Sequence, residues 1–296
     1  MRTSDIGRLT ALALIWSLSF VFIRVLAPVL GPVWVATGRV TIAGVALCAW
    51  FAWIGFDAQV RAHWRAYLFI GVLNSALPFL LFAFAALHLP ASYLAILNAA
   101  TPLFGAIASA LWLAEALSPA KVAGLIAGAA GVALVSRAGP VEPDATFALA
   151  VAASLAAALC YALAAVWIKR HGGKLKSKAI AGYSQLFAGM VLLPVAAGSA
   201  PPGPVTPMVV ANLLALALLC SSIAYLLYYR LIADIGATRA LTVTFLIPAL
   251  GLLWGALLLD ETVTWTMIAG TALVIGGTAA VLRAPSAAPA PQARSG

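Results

Sequence analysis

Apolar residues in this chain come in unbroken runs, without the one-in-two alternation of a half-buried strand. The runs approach the roughly 20 residues that carry an α-helix across a ~30 Å hydrocarbon core. They therefore predict membrane-spanning helices, each of which satisfies its own backbone polar groups within the segment. Ten spans are expected, over 6–26, 32–55, 66–87, 90–113, 119–137, 146–168, 178–198, 208–232, 236–259 and 264–283. Pro, Gly and charged residues mark the breaks between them, as in RAGPVEPD and SAPPGPVTP. The segment 284–296, APSAAPAPQARSG, reads as a disordered tail.

Composition removes the alternative of a soluble protein. Its 296 residues would suggest two soluble domains, but only 8% are charged and 64% are hydrophobic. A soluble domain carries about 25% charged residues, so this chain lacks the polar surface to face water. Arg2 and Arg8 precede the first apolar run, which is too long for a signal peptide and lacks a small-residue cleavage site. It reads as an uncleaved first helix. Cys48, Cys160 and Cys220 fall within spans, with neither metal nor disulfide spacing, and read as packing residues.

The net charge of +9 follows the loops, so no nucleic-acid partner is expected. With the N-terminus inside, cytoplasmic segments carry Arg2, Arg8, Arg61, Arg65, Lys121, Lys169, Arg170, Lys174, Lys176, Lys178, Arg230, Arg239, Arg283 and Arg294. The outer segments carry Arg24 and Arg137. This positive-inside bias predicts that both termini face the cytoplasm, with the chain crossing the inner cell membrane many times. The cluster KRHGGKLKSK also suits contact with anionic lipid, although topology already accounts for it.

The chain repeats itself. ATPLFGAIASALWLAE starts at Ala100, and LIPALGLLWGALLLDE starts 146 residues later, at Leu246. Ala and Leu coincidences are cheap in this composition. Pro102/Pro248, Gly105/Gly251, Glu115/Glu261, Gly124/Gly270 and Gly131/Gly277 are not. The same offset pairs Ser75 with Ser221, Phe79 with Tyr225 and Phe82 with Tyr228; one residue less pairs Trp16 with Tyr161 and Arg24 with Lys169. Two five-helix units follow, at 1–138 and 139–283. Because five is odd, the second enters the membrane from the opposite side. Inverted repeats of this kind give secondary transporters two similar gates around one central site.

The LALIWSLSFVFIR opening, Arg39, and the two endings TPLFGAIASALWLAEALSPAKVAGLIAGAAGVALV and IPALGLLWGALLLDETVTWTMIAGTALVIGG resemble the drug/metabolite transporter superfamily, in its ten-helix EamA branch. The likeness covers about 5–283. It implies an all-α fold of two inverted five-helix repeats and a cell-membrane exporter of amino acids or similar metabolites. It also implies that spans one to four and six to nine surround the cavity while five and ten pack outside.

Candidate cavity residues cluster near mid-span. Pro102 and Pro248 each leave a carbonyl four residues back without its helical donor, at Asn98 and Thr244. With Asn98, Thr101, Thr242 and Thr244 they gather neutral hydrogen-bonding groups suited to lining a wet cavity, or to satisfying one another at a kink. Spans three and eight add Asn74, Ser75, Ser221 and Ser222. Phe79 with Phe82, and Tyr225 with Tyr228, share helical faces at i and i+3. Trp16, Phe20, Tyr161 and Trp167 add aromatics. An aromatic wall with sparse polar points suits a neutral or zwitterionic solute. Arg39 lies about seven residues into span two, roughly 10 Å deep. A charge there needs a partner: either it anchors helix ends through backbone carbonyls, or it meets a substrate carboxylate.

No Asp or Glu falls mid-span, which speaks against proton antiport through a buried carboxylate and for gradient-driven efflux; His88 at an outer end is the one remaining titratable candidate. The same absence removes the acidic pairs and metal-binding clusters of intramembrane enzymes, so neither enzyme activity, cofactor nor metal is expected. The expected partners are amino-acid substrates and the lipid bilayer. The alternative cargo is lipophilic drugs or other small metabolites. GLIAGAAG in span five and Gly270, Gly276 and Gly277 in span ten read as small-residue packing faces within one protomer; a monomer suffices, and a dimer stays open.

Overall fold

The computed structural model describes residues 2–138, 144–236, 240 and 242–283. The linker at 139–143, Arg239, the side chain of Arg137 and the tail with Arg294 lie outside the described residues. Among the described residues there is no strand, and nine helices follow one another. They are α1 (Thr3–Trp53), α2 (Val60–Ala85), α3 (Ala91–Leu113), α4 (Pro119–Ala138), α5 (Ala145–Lys174), α6 (Ser177–Ala197), α7 (Pro207–Ile235), α8 (Val243–Leu259) and α9 (Trp265–Arg283). All but the 17-residue α8 are long and apolar enough to cross a membrane.

The first helix holds two of the ten expected spans. At 51 residues it is far longer than one crossing, and Gly31 (φ 76°, ψ 156°) interrupts it between Pro28 and Pro32. No L-residue with a side chain adopts that conformation readily. The two halves run in opposite directions along α2. In the first half, Phe20 packs 5.5 Å from Phe82 and Arg24 reaches the Ala86 carbonyl. In the second half Arg39 meets Phe79, whereas Phe51 approaches the start of α2 through Tyr183, which stacks on both Phe51 and Tyr67.

Local chemistry sets the other boundaries. The Asp144 carboxylate accepts the Phe147 N–H at 2.6 Å and caps α5; Thr206 caps α7, with Pro207 in the first turn where no N–H is required. Two helices carry wide π turns, at Val72–Ala76 in α2 and Ala215–Ile223 in α7. These are matching positions in the two repeats. Such turns are rare and concentrate at functional sites. The expected span 90–113 is interrupted at Ala99–Ala100, just before Pro102, whereas Pro248 sits inside the continuous α8. The expected span 236–259 is described as a continuous helix from Val243 onward.

The α4–α9 pair packs through glycines across a pseudo-twofold relation. Gly124 faces Gly277 and Gly131 faces Gly270, so close that an added Cβ at either α4 position would lie 2.6–2.7 Å from a backbone oxygen. Gly276 lies off this seam, with nothing within 4 Å of such a Cβ. Small residues let helix backbones approach where lipid supplies no hydrophobic drive. On the inner side of the bundle, every residue from Ala91 to Leu97 is buried.

One end of the bundle collects the basic side chains. Arg8 and Arg230 both pair with Asp234 there, and Lys169, Arg170 and Lys176 lie at the same end. Among the described residues every Asp and Glu lies in a first or last turn or beyond a helix end.

Candidate functional site

The wide turn in α2 carries Asn74 and Ser75; its counterpart in α7 carries Ser221 and Ser222. The α7 turn faces the second half of α1. There Arg39, 6% exposed, donates from Nε to the Ser221 hydroxyl at 2.9 Å and lies 3.7 Å over the Phe79 ring. Among the described residues it has no carboxylate partner and no backbone carbonyl bond. A guanidinium has five N–H donors. One hydroxyl and one ring face are little compensation for burying it.

Aromatic rings continue outward from this charge. Tyr161 lies 6.4 Å from Phe79 and 6.3 Å from Phe82, and Phe82 meets Phe20. On the other flank Tyr225 meets the Asn74 side chain, and Trp16 packs 6.1 Å from Tyr225 and 5.2 Å from Tyr228. One contiguous patch therefore draws on both halves of α1 and on α2, α5 and α7. Trp167 stands apart, against Phe69 and His171 near the basic end. His88 is exposed beyond the opposite end of α2, against Phe84.

Ser222 donates to the carbonyls of Ala43 and Ala217, each at 3.4 Å, whereas the buried Ser75 hydroxyl has no partner among the described residues. Around the prolines, the Asn98 carbonyl accepts the Thr101 hydroxyl at 2.8 Å, so the group freed by Pro102 is satisfied one turn away. Thr242 and Thr244 begin α8, and Pro248 is buried within it.

Two glutamates follow equivalent turns. Ala114 and Asp260 both adopt left-handed geometry, with φ of 52° and 53°, and the next residue is Glu115 or Glu261. The backbone N–H of each glutamate returns to the carbonyl six residues earlier, Ser109 or Gly255. Among the described residues their side chains meet different partners. Glu261 accepts the Ala91 N–H at 2.6 Å, and from Ser92 it accepts the N–H at 3.0 Å and the hydroxyl at 2.6 Å. It thereby caps the start of α3 from a residue beyond the end of α8. Glu115 instead pairs with Lys169, beside an Arg170 bond to the Trp112 carbonyl.

Sequence reasoning found the repeated glutamates but not their partners. It also missed Ser17, whose hydroxyl accepts the Trp254 indole N–H at 2.9 Å and ties α1 to α8. The one available signal was the duplication itself, which marks both glutamates without saying which helix start each can reach.

Comparison with known proteins agrees with this architecture. The profile of the EamA-like transporter family matches twice, over residues 7–137 and 148–283. An uncharacterized transporter of Archaeoglobus fulgidus is 28% identical over 271 residues, covering 89% of this chain and 92% of its own. The uncharacterized transporter YvbV of Bacillus subtilis is 28% identical over 73% of this chain and 71% of its own, and the protein PecM of Dickeya dadantii 27% over 71% of each. A solved crystal structure at 20% identity superposes with a TM-score of 0.67 over 95% of this chain and 96% of its own, a likeness of fold.

Proposed function

Given that the chain belongs to the EamA-like transporter family and is a multi-pass membrane protein, we propose that it exports amino acids, neutral and aromatic ones included, and related small metabolites by alternating access. The observation that carries this reading is Arg39. It is a nine-tenths buried guanidinium whose protein partners among the described residues are one hydroxyl and one aromatic face. A substrate α-carboxylate offers it a bidentate, charge-assisted partner. Asn74, Ser221 and Tyr225 supply neutral groups to orient the solute, and Trp16, Phe20 and Tyr161 supply a wall that tolerates varied side chains.

A lipophilic cargo without an anion leaves the guanidinium uncompensated, and a phosphate-bearing cargo calls for several cations. The gathering of basic side chains at the end of the termini supports cytoplasmic termini in an inner membrane. The confinement of carboxylates to helix ends supports flux without proton exchange.

The test is efflux of a labelled amino-acid panel from proteoliposomes, with and without a pH gradient. Expected is flux indifferent to the gradient and lost when the α-carboxylate is replaced by an amide. Lipophilic compounds moving while amino acids do not would overturn the reading. Flux that requires the gradient would overturn its uncoupled form and direct attention to His88.

A further inference from the structure

Toward the basic end of the molecule, α2 and α5 part. They pack together from the wide turn at Val72–Ala76 onward, whereas the first turns of α2, from Val60, spread away from α5. Wide turns of this kind bend a helix, and this one marks where the two separate. The opening holds two adjoining spaces that share Phe69 and Trp167, whose rings lie 5.0 Å apart. The outer space, about 570 Å³, is lined by His63, Trp64 and Arg65 of α2. The inner one, about 270 Å³, runs between Leu73, Leu163, Val166 and Trp112 of α3, and is bordered by Arg170 and His171. Trp64, Phe69 and Trp112 are exposed, so no described element covers this face. Arg170 donates to the Trp112 carbonyl at 3.3 Å and Arg65 lies 5.4 Å over the Trp64 ring. Among the described residues neither arginine has a carboxylate partner.

We propose that this groove binds one anionic phospholipid, with its phosphate held by Arg65 and Arg170 and an acyl chain laid in the inner space. The chemistry of the groove changes along its length as a phospholipid does. Arginines and histidines stand at the basic end, tryptophans follow, and Leu73 and Leu163 lie deepest. Tryptophan rings belong at the headgroup level of a bilayer, and basic pockets between membrane helices take anionic headgroups. From Ala62 to Leu73, α2 covers about 16 Å at 1.5 Å per residue, close to half of a ~30 Å hydrocarbon core. The groove is thus one leaflet deep. A guanidinium presents a planar fork that matches two phosphate oxygens. Neighbouring cations are otherwise engaged: Lys169 pairs with Glu115, and Lys176 donates to the Asp57 carbonyl. The site also gives a role to Trp167, which stands apart from the aromatic patch around Arg39. It rests on the chain's place in a membrane and not on the identity of the cargo.

The test is native mass spectrometry of the full chain in detergent, titrated with dioleoyl phosphatidylglycerol or with dioleoyl phosphatidylcholine, which has the same chains and no net charge. Phosphatidylglycerol should bind about tenfold or more tightly than phosphatidylcholine, the scale of two cations acting on one headgroup. Arg65→Ala combined with Arg170→Ala should abolish that preference. Lys174→Ala combined with Lys178→Ala removes the same charge from the same end outside the groove, and should preserve it. Leu163→Trp fills the inner space and should weaken both lipids by several-fold. If the arginine pair lowers the melting temperature, Arg65→Gln with Arg170→Gln replaces it, and should abolish the preference in folded protein. An equal loss from the lysine pair would reduce the effect to general basic charge and overturn the proposal. Leu163→Trp without effect, or displacement of phosphatidylglycerol by inorganic phosphate, would overturn it as a lipid site. Because no cargo is present, each outcome is separable from a failure of the amino-acid assignment.

Discussion

The α4–α9 seam and the Glu261 cap both join the two repeats, yet one does so with glycines and the other with a carboxylate. In the seam, Gly124 meets Gly277 and Gly131 meets Gly270, so each repeat supplies what the other lacks. At the turns, Glu261 caps α3 while Glu115 answers to Lys169. The seam sets backbone against backbone, so its glycines have no room to change; the cap sets a carboxylate against the N–H donors of a helix start, which owe their strength to charge rather than to close packing.

The largest expected effect comes from attacking the scaffold. A Cβ at Gly277 would sit 2.5 Å from the Gly124 carbonyl oxygen and 2.6 Å from the Gly128 nitrogen, both immovable backbone. Gly277→Val should cost roughly 1–3 kcal/mol or more through overpacking, read as lost yield of monodisperse protein and a lowered melting temperature. Gly276→Val, one residue away with open space around it, should leave both nearly unchanged.

Next in size is the buried charge. Arg39→Ala should lower the initial rate of amino-acid efflux by about tenfold or more, since a bidentate charged contact is worth roughly 1.5–3 kcal/mol. Arg39→Lys should recover only part of it, because an ammonium lacks the planar fork. Equal rates in all three proteins would remove Arg39 from substrate recognition.

The comparison is sharpened by two glycines that the sequence cannot tell apart. Gly251→Ala forces a methyl into Ala95 and should loosen the start of α3, speeding hydrogen–deuterium exchange over 91–98 several-fold. Gly105→Ala, where no described residue lies within 4 Å of the added methyl, should leave exchange over 91–98 unchanged. The smallest effect is expected from Trp254→Phe, which deletes the bond to Ser17. It should lower stability by about 1 kcal/mol, seen as a modest drop in melting temperature without a change in the seam.

Much of the architecture was legible beforehand, for identifiable reasons. Hydropathy runs mark helices because a bilayer tolerates few other elements, and the expected pair of spans at the start of the chain meets at a kink where Gly31 leaves helical geometry. The seam glycines were visible as spaced small residues, although spacing did not distinguish Gly276 from its neighbour Gly277. Aromatic residues at i and i+3 were visible as faces, but a face alone does not say whether Trp16 joins Tyr225 or whether Trp167 turns away to Phe69.

By itself, then, the sequence determined the membrane-spanning helices, the duplication and the small-residue seam, since each follows from composition or periodicity over a single helix. Only the tertiary structure decided that Arg39 finds Ser221 and Phe79 but no carboxylate, a matter of what several helices bring to one point. It alone decided that Glu261 reaches the N–H groups of Ala91 and Ser92, about 170 residues away in the chain, and that Glu115 meets Lys169. Both glutamates follow the same local turn, and only the packing of distant helices says what each turn delivers its carboxylate to.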